Sequence, residues 1–386
     1  MDALNVDTAQ VTEWRNQRFN WKDIAGFLGT DARRLRRWRV RVFFVEPLDN
    51  VEDDELDAYV RDYIDENPTV GEISVDAYLA GVLMLNVTRA CLRASLQRVG
   101  GQALIDRREQ FGKKIVRRTY QVGGPHRLWH VDGMHKLIRY GLIVHGCVDG
   151  FSRRVIWMHI STNNRKATQL EYFEAARKEL GITPSRMRGD LGGENNSIAD
   201  RMIYIRGFDR GSFIFGTSRN NVRIERHWRD LRREFTQFWM TFLKQLERER
   251  ILDYDDDIHL FLVQYLFAPR MQEELNQHRL SYNNHKLSTE GNLTPIQLCE
   301  KYKDNMKDDP VHVGDDYGEY DDEDDDDDVE GNSVVNLDPR HCPLNEIDWL
   351  IFQEWVTPVN NALPKSDLRQ AFIDAMELLQ DLLADD

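Results

Sequence analysis

At residue 127 the hydrophobic pattern stops repeating every three or four positions, and this change restricts the fold more than any other feature of the chain. Residues 127–131, 141–148 and 153–161 are three β-rich runs, with turn signals at Asp149-Gly150 and Asn163-Asn164. Helical spacing returns at 166–180 (KATQLEYFEAARKEL), where Leu170, Phe173 and Ala176 share a face and Gly181 stops the run. A strand at 185–189, a helix near 198–205, a strand at 212–215 and a long helix from Asn221 complete the order βββαβαβα. The class that accommodates this order is α/β with a mixed five-stranded sheet.

Three carboxylates occupy telling places in that order. Asp132 ends the first strand (HVDG), Asp190 ends the fourth (RGDLGGEN), and Glu225 opens the long helix (NNVRIERHW). Strand ends and helix starts are where an open α/β sheet gathers functional groups, and hard oxygen ligands suit Mg²⁺. Each acid also has a plain alternative: Asp132 a turn acceptor, Asp190 a salt bridge with Arg188, Glu225 a charge favoured by the helix dipole. In the long helix, Ile224, Trp228, Leu231, Phe235, Phe238, Phe242 and Leu246 define a buried stripe. Glu225 falls on its flank, with Arg229 and Arg232 further along the same flank.

The first 120 residues read as helical, in two helix-turn-helix-like units. In the first, residues 21–28 place Ile24 and Leu28 on one face, Gly29 breaks the helix, and Thr30 can cap the next. Arg33, Arg34, Arg36, Arg37, Arg39 and Arg41 then surround Leu35 and Trp38, which are spaced to pack inward. Guanidinium groups on the outer face suit phosphates and base edges, although a merely solvated basic helix or an import signal has the same composition. The second unit has amphipathic stretches at 56–64, 73–84 and 87–99, with Thr88 as a cap, and fits a generic bundle equally well. Residues 107–118 (RREQFGKKIVRR) form a basic connector suited to tracking a phosphate backbone.

The net charge of −15 taken whole argues against a nucleic-acid partner, but the argument fails once the charge is divided along the chain. Residues 1–300 carry 45 Lys plus Arg against 41 Asp plus Glu, whereas 301–386 carry 6 against 25. The acidity belongs to the tail, where residues 315–330 hold 12 acids and read as a disordered linker. Apolar residues return from Pro343 on, and Leu368, Phe372, Ala375, Leu378, Leu379 and Leu382 follow helical spacing, giving a small helical tail. Four cysteines without a CxxC pair point away from a disulfide scaffold or zinc finger and toward a reduced, intracellular setting. The sequence shows neither a signal peptide nor an apolar run of membrane length, so no membrane partner is expected.

The words HVDG, DLGGEN and NNVRIERHWRD, with 34 residues between Asp190 and Glu225, resemble the DDE catalytic core of integrases and transposases. The likeness is closest to integrase-core proteins of mobile-element origin in eukaryotes, and includes VHGCVDGFSRRVIW and SYNNHKLSTEGNLTPIQL. It implies an RNase H-like core over 126–302 with a C-terminal helical extension. Around it lie helical units at 1–48 and 49–105, a basic linker at 106–125, an acidic linker at 303–335 and a helical tail at 336–386. It also implies that Asp132, Asp190 and Glu225 are the catalytic, metal-binding triad for two Mg²⁺ or Mn²⁺ ions, Asp132 bridging both.

The implied activity is metal-dependent DNA end cleavage and strand transfer, carried out in the nucleus by a homo-oligomer on double-stranded DNA. The alternative is a domesticated, catalytically silent DNA-binding regulator. Glu194 competes as third ligand because Gly192-Gly193 could let it swing toward Asp190. His126, His130 and His135 read as strand-end or DNA-facing residues, since no cysteines stand at ligand spacing. The role of Asn283, Asn284 and His285 stays undetermined. Retroviral integrases carry an HHCC zinc module before the core and a β-rich module after it, and neither is evident here. Arg33, Arg34, Arg36, Arg37 and Arg41, with Arg229 and Arg232, are therefore the candidate DNA contacts.

Overall fold

The N-terminal helices take their boundaries from side-chain caps. The computed structural model describes residues 6–67, 70–110, 122–190, 193–208, 210–216, 221–306 and 337–384, without the side chains of 100–110, 194 and 357–362. Asp7 caps α1 (Thr8–Asn16), Asn20 caps α2 (Trp21–Phe27), and Asp31 caps α3 (Ala32–Arg41) by accepting from the Arg33 and Arg34 amides. Asp31 thus replaces the expected Thr30, because a carboxylate at this place accepts two orphan N–H groups and opposes the positive end of the helix. Helices α4 (Asp53–Glu66), α5 (Glu72–Gly81) and α6 (Arg89–Gln110) follow, and the Thr88 hydroxyl caps α6 as expected, accepting from Cys91 N at 3.1 Å.

These helices bury two apolar clusters. Leu56, Val60, Val75, Leu79, Leu92 and Leu96 form one within α4–α6. The other joins Val11, Phe19, Ile24, Leu35 and Trp38 to Leu287, Leu293 and Leu298, the last on α12 (Pro295–Lys301). The chain accordingly divides into two compact units, Met1–Gly112 with Leu280–Lys301, and Lys113–Arg279 with Tyr302–Asp386. Residues 111–121 of the basic connector and the acidic run 315–330 lie outside the described residues.

The second unit is built on a five-stranded mixed sheet in the order β3-β2-β1-β4-β5. Its strands are β1 (Leu128–Met134), β2 (Ile143–Asp149), β3 (Val155–Ser161), β4 (Arg186–Asp190) and β5 (Phe213–Gly216). β1–β2 and β2–β3 are antiparallel, whereas β1–β4 and β4–β5 are parallel. Helices α7 (Lys166–Leu180) and α8 (Asn196–Arg206) make the crossovers, and Gly181 ends α7 in the left-handed conformation at φ 65°. Alternation along β1 sends Trp129 and Val131 into a cluster with Phe173, Ala176, Ile198 and Met202 of α7 and α8. His130 and Asp132 therefore face the opposite side of the sheet, where the next helix lies.

That helix is interrupted. α9 (Val222–Leu231) passes through a π-turn at Arg232–Thr236 into α10 (Gln237–Arg248). The expected stripe holds through Ile224, Trp228, Leu231 and Phe235, then shifts: Trp239 and Leu243 are fully buried, while Phe238 and Phe242 are only partly so. A π-turn takes in one extra residue, so the next two contacts move on by one, while Leu246 is fully buried as expected. On α11 (Asp257–Asn283), Gln272 bonds Ile160 N and Met158 O, and Arg279 bonds Ile156 O, which covers the edge of β3. The tail helices α13 (Glu346–Ala362) and α14 (Leu368–Ala384) pack on α11 through Trp349 against Tyr265 and Phe372 against Phe267. Among the described residues no helix is long and apolar enough to cross a membrane.

Candidate active site

Asp132 lies inside β1, two residues before its end, and not at the terminus the sequence suggested. Asp190 is the last residue of β4. Both are two positions beyond the paired residues His130 and Arg188 on adjacent parallel strands, so both side chains leave the same face of the sheet. Glu225 sits in the first turn of α9, packed over that face. The sheet and one helix thus bring together three acids that are up to 93 residues apart in the chain.

Several residues that the sequence reading passed over hold them there. The Trp228 indole Nε1–H donates to Asp132 Oδ2 at 2.7 Å, and the indole itself fits because β2 carries a glycine beneath it. A Cβ at Gly146 would stand 2.6 Å from Trp228 Cη2. Asn195 Nδ2 donates to Asp190 Oδ1 at 2.8 Å. Asn221, just before α9, donates from Nδ2 to Val131 O at 2.8 Å and accepts at Oδ1 from His130 Nδ1, also at 2.8 Å. That pair of bonds pins the start of α9 to β1, and so sets Glu225 against Asp132. Burial lowers His130 to a pKa of about 3, so its imidazole is neutral and Nδ1 carries the proton that Asn221 accepts.

The electrostatics of the three acids follow from this crowding. Burial, then the charge of Glu225, then that of Asp190 push the Asp132 carboxyl well above the usual carboxylate range, against the pull of the Trp228 and Gly133 N–H groups. Burial also raises Glu225; the Arg229 and Lys136 charges oppose this rise and Asp190 adds to it. Two of the acids have one oxygen engaged by a neutral donor, and the set offers only hard oxygen ligands. Their chemistry fits a divalent cation, which would relieve the mutual repulsion. Among the described residues no three His, Cys, Asp or Glu side chains converge closely enough to enclose an ion.

The remaining candidates are dispersed. Arg229 and Arg232 are exposed on α9 and the π-turn. Arg33, Arg34, Arg36, Arg37 and Arg41 are exposed on α3, while Arg39 turns inward to Glu46 at 3.0 Å and over the Trp21 ring. His126 and His130 do not face outward: both are buried, and His126 Nδ1 accepts from Trp129 Nε1 at 3.0 Å. His135 is exposed. The side chain of Glu194 lies outside the described residues.

Residues 119–309 match the family model of the integrase core domain. This stretch is an integrase core domain. The match covers the whole sheet and the three acids, and the five-stranded mixed sheet with its helices is the RNase H-like architecture expected from the sequence. Integrase core domains generally use divalent metal ions, and the family is associated with DNA integration. No curated protein matches the chain.

Proposed function

We propose that the protein is a DDE-type polynucleotidyl transferase that cleaves DNA ends and joins them to target DNA. The observation that carries this reading is the gathering of Asp132, Asp190 and Glu225 on one face of an integrase-core sheet, so close that each of the other two acids raises the Asp132 pKa. Structural ion pairs bring opposite charges together; like charges held together by a tryptophan and two asparagines suit a site built for cations. The three carboxylates are the ligands in this reading. Two bound Mg²⁺ or Mn²⁺ ions would activate a water or 3′-hydroxyl and stabilise the leaving oxygen. Trp228 and Asn195 orient the ligands, and Asn221 fixes the helix that brings Glu225.

The helix-turn-helix reading of α1–α3 supplies DNA contact through Arg33, Arg34, Arg36, Arg37 and Arg41, with Arg229 near Glu225 and Arg232 further along the same helix. A nuclear location and a homo-oligomer on DNA complete the proposal. Its test is incubation with linear DNA carrying the sequences that flank the gene, with Mg²⁺ or Mn²⁺. Nicked and joined products from the wild type, lost in Asp132→Asn with DNA binding retained, are expected; cuts without joining would reduce the activity to that of a nuclease. The second reading, a silent DNA-binding regulator, draws on the exposed arginines of α3, which could bind duplex without any chemistry in the core. Tight duplex binding with no metal-dependent product would favour it.

A further inference from the structure

The first three helices end in the same way, with the same pair of backbone bonds. In each, the second residue beyond the helix is left-handed and its N–H bonds back three residues, while the next N–H bonds back five. For α1 these are Arg18 N to Arg15 O and Phe19 N to Trp14 O. For α2 they are Gly29 N to Gly26 O and Thr30 N to Ala25 O, and for α3 Phe43 N to Val40 O and Phe44 N to Arg39 O. The left-handed positions are Arg18 (φ 64°), Gly29 (φ 59°) and Phe43 (φ 52°). Glycine adopts this backbone without steric cost, and any other residue needs a compensating contact.

Arg18 has one, since its guanidinium pairs with Asp76 at 2.5 Å. Phe43 has none of comparable extent, because its ring is 87% exposed. Val40 (67%) and Val45 (82%) are exposed beside it in the chain. A strained backbone that holds a bare aromatic ring in water lowers stability with no return inside the molecule.

The surroundings identify what the ring meets. Val40 follows Arg33, Arg36 and Arg37 at helical spacing on the exposed face of α3, opposite the buried Leu35 and Trp38. Among the described residues Arg36, Arg37 and Arg41 form no ion pair, in contrast to Arg39 with Glu46. Apolar side chains at the end of a row of uncompensated guanidiniums match a nucleic-acid groove, where phosphates meet the cations and bases meet the ring. Met84 is the only other exposed apolar residue in left-handed backbone among the described residues, at 76% exposure and φ 57°. It lacks this setting: the nearby Arg89 and Arg93 both pair with Glu72.

We propose that Phe43 is a base-contacting wedge, which stacks on or between the bases of duplex DNA while the arginines of α3 hold the flanking phosphates. This rests on the DNA reading of α3 and is independent of the chemistry at Asp132. The test uses the full chain in EDTA with a mixed-sequence duplex carrying 2-aminopurine, followed by anisotropy and by base fluorescence. Phe43→Gly is expected to melt no lower than wild type, to bind about tenfold more weakly, within the range of aromatic–base stacking, and to lose the 2-aminopurine signal. Its salt dependence stays unchanged, Phe43→Trp keeps the signal, and Met84→Gly binds as wild type.

The double variant Arg36→Ala/Arg37→Ala reports on the underlying reading, with a salt slope reduced by about two. Wild-type affinity and signal in Phe43→Gly, with weak binding by the arginine variant, overturn the wedge and leave the DNA reading intact. Wild-type binding by the arginine variant overturns both. A change in oligomeric state of Phe43→Gly with unaltered DNA binding assigns the ring to a protein contact and overturns the proposal.

Discussion

Replacing Asp132 by asparagine should stabilise the protein while it removes the chemistry. The Asp132 carboxyl is buried beside two other acids, which raises its pKa, so the folded state holds a proton that the unfolded chain releases. By linkage, the stability this gives is complete below the unfolded value of about 3.8 and is lost as pH rises from there toward the folded value. Asparagine cannot ionise, so the gap between variant and wild type should widen as pH rises from about 3.8 through the raised folded value. Its carbonyl oxygen still accepts from Trp228 Nε1, and its amide can donate toward the remaining acids. A gain of about 1–2 kcal/mol is expected from relieving a charged functional site. At about 2–4 °C per kcal/mol, that raises Tm by about 2–8 °C.

Alanine is the informative contrast. It leaves the Trp228 N–H buried and unpaired at a cost of about 1–3 kcal/mol, which cancels the electrostatic gain. Metal supplies the reverse check. Mg²⁺ at about ten times its dissociation constant should stabilise the wild type by about 1.4 kcal/mol and Asp132→Asn not at all. Differential scanning calorimetry in EDTA and in Mg²⁺ measures both. An asparagine variant that melts at or below the wild type in EDTA at neutral pH, or gains as much from Mg²⁺, would refute the reasoning.

Two further outcomes test the framework. Gly146→Ala places a Cβ 2.6 Å from a packed indole, so Trp228 must shift, costing about 1–3 kcal/mol and moving its N–H from Asp132; thermal melts should show both the lower Tm and a weakened response to Mg²⁺. Burial alone would raise the Asp76 pKa, but the charges of Arg18 at 2.5 Å and Lys286 at 3.0 Å outweigh it and hold the carboxyl below its usual 3.8. That stability is present above about pH 3.8 and lost as pH falls through the folded value, so Asp76→Asn should cost about 1–3 kcal/mol at neutral pH and nothing in strong acid, as read by urea titration.

The order of strands and helices was legible because each element states its own period locally. α7 begins and ends at the expected residues, since Gly181 stops it, and the strands differ from expectation by at most three residues at their ends. Caps were legible in kind: Thr88 serves as expected, whereas Asp31 displaces Thr30 because a neighbouring carboxylate is the better acceptor. The buried stripe of the long helix was legible at Leu246 and in the run up to Phe235. Beyond it the π-turn moves the contacts to Trp239 and Leu243, and no spacing rule contains that extra residue.

The three acids were found because they stand in recognisable words, and those words also held the supporting asparagines unnoticed. Asn195 lies in DLGGEN and Asn221 in NNVRIERHW, but a side chain's partner across 90 residues has no local signature. The sequence by itself determined the class of sheet, the order of its elements and the residues competent for metal chemistry, because these depend on local period and side-chain type. Only the tertiary structure decided which face the acids share, which indole and amides hold them, and that residues 280–301 close an N-terminal core. Those outcomes depend on packing between distant segments, where a glycine such as Gly146 matters for the ring that rests on it and not for anything beside it in the chain.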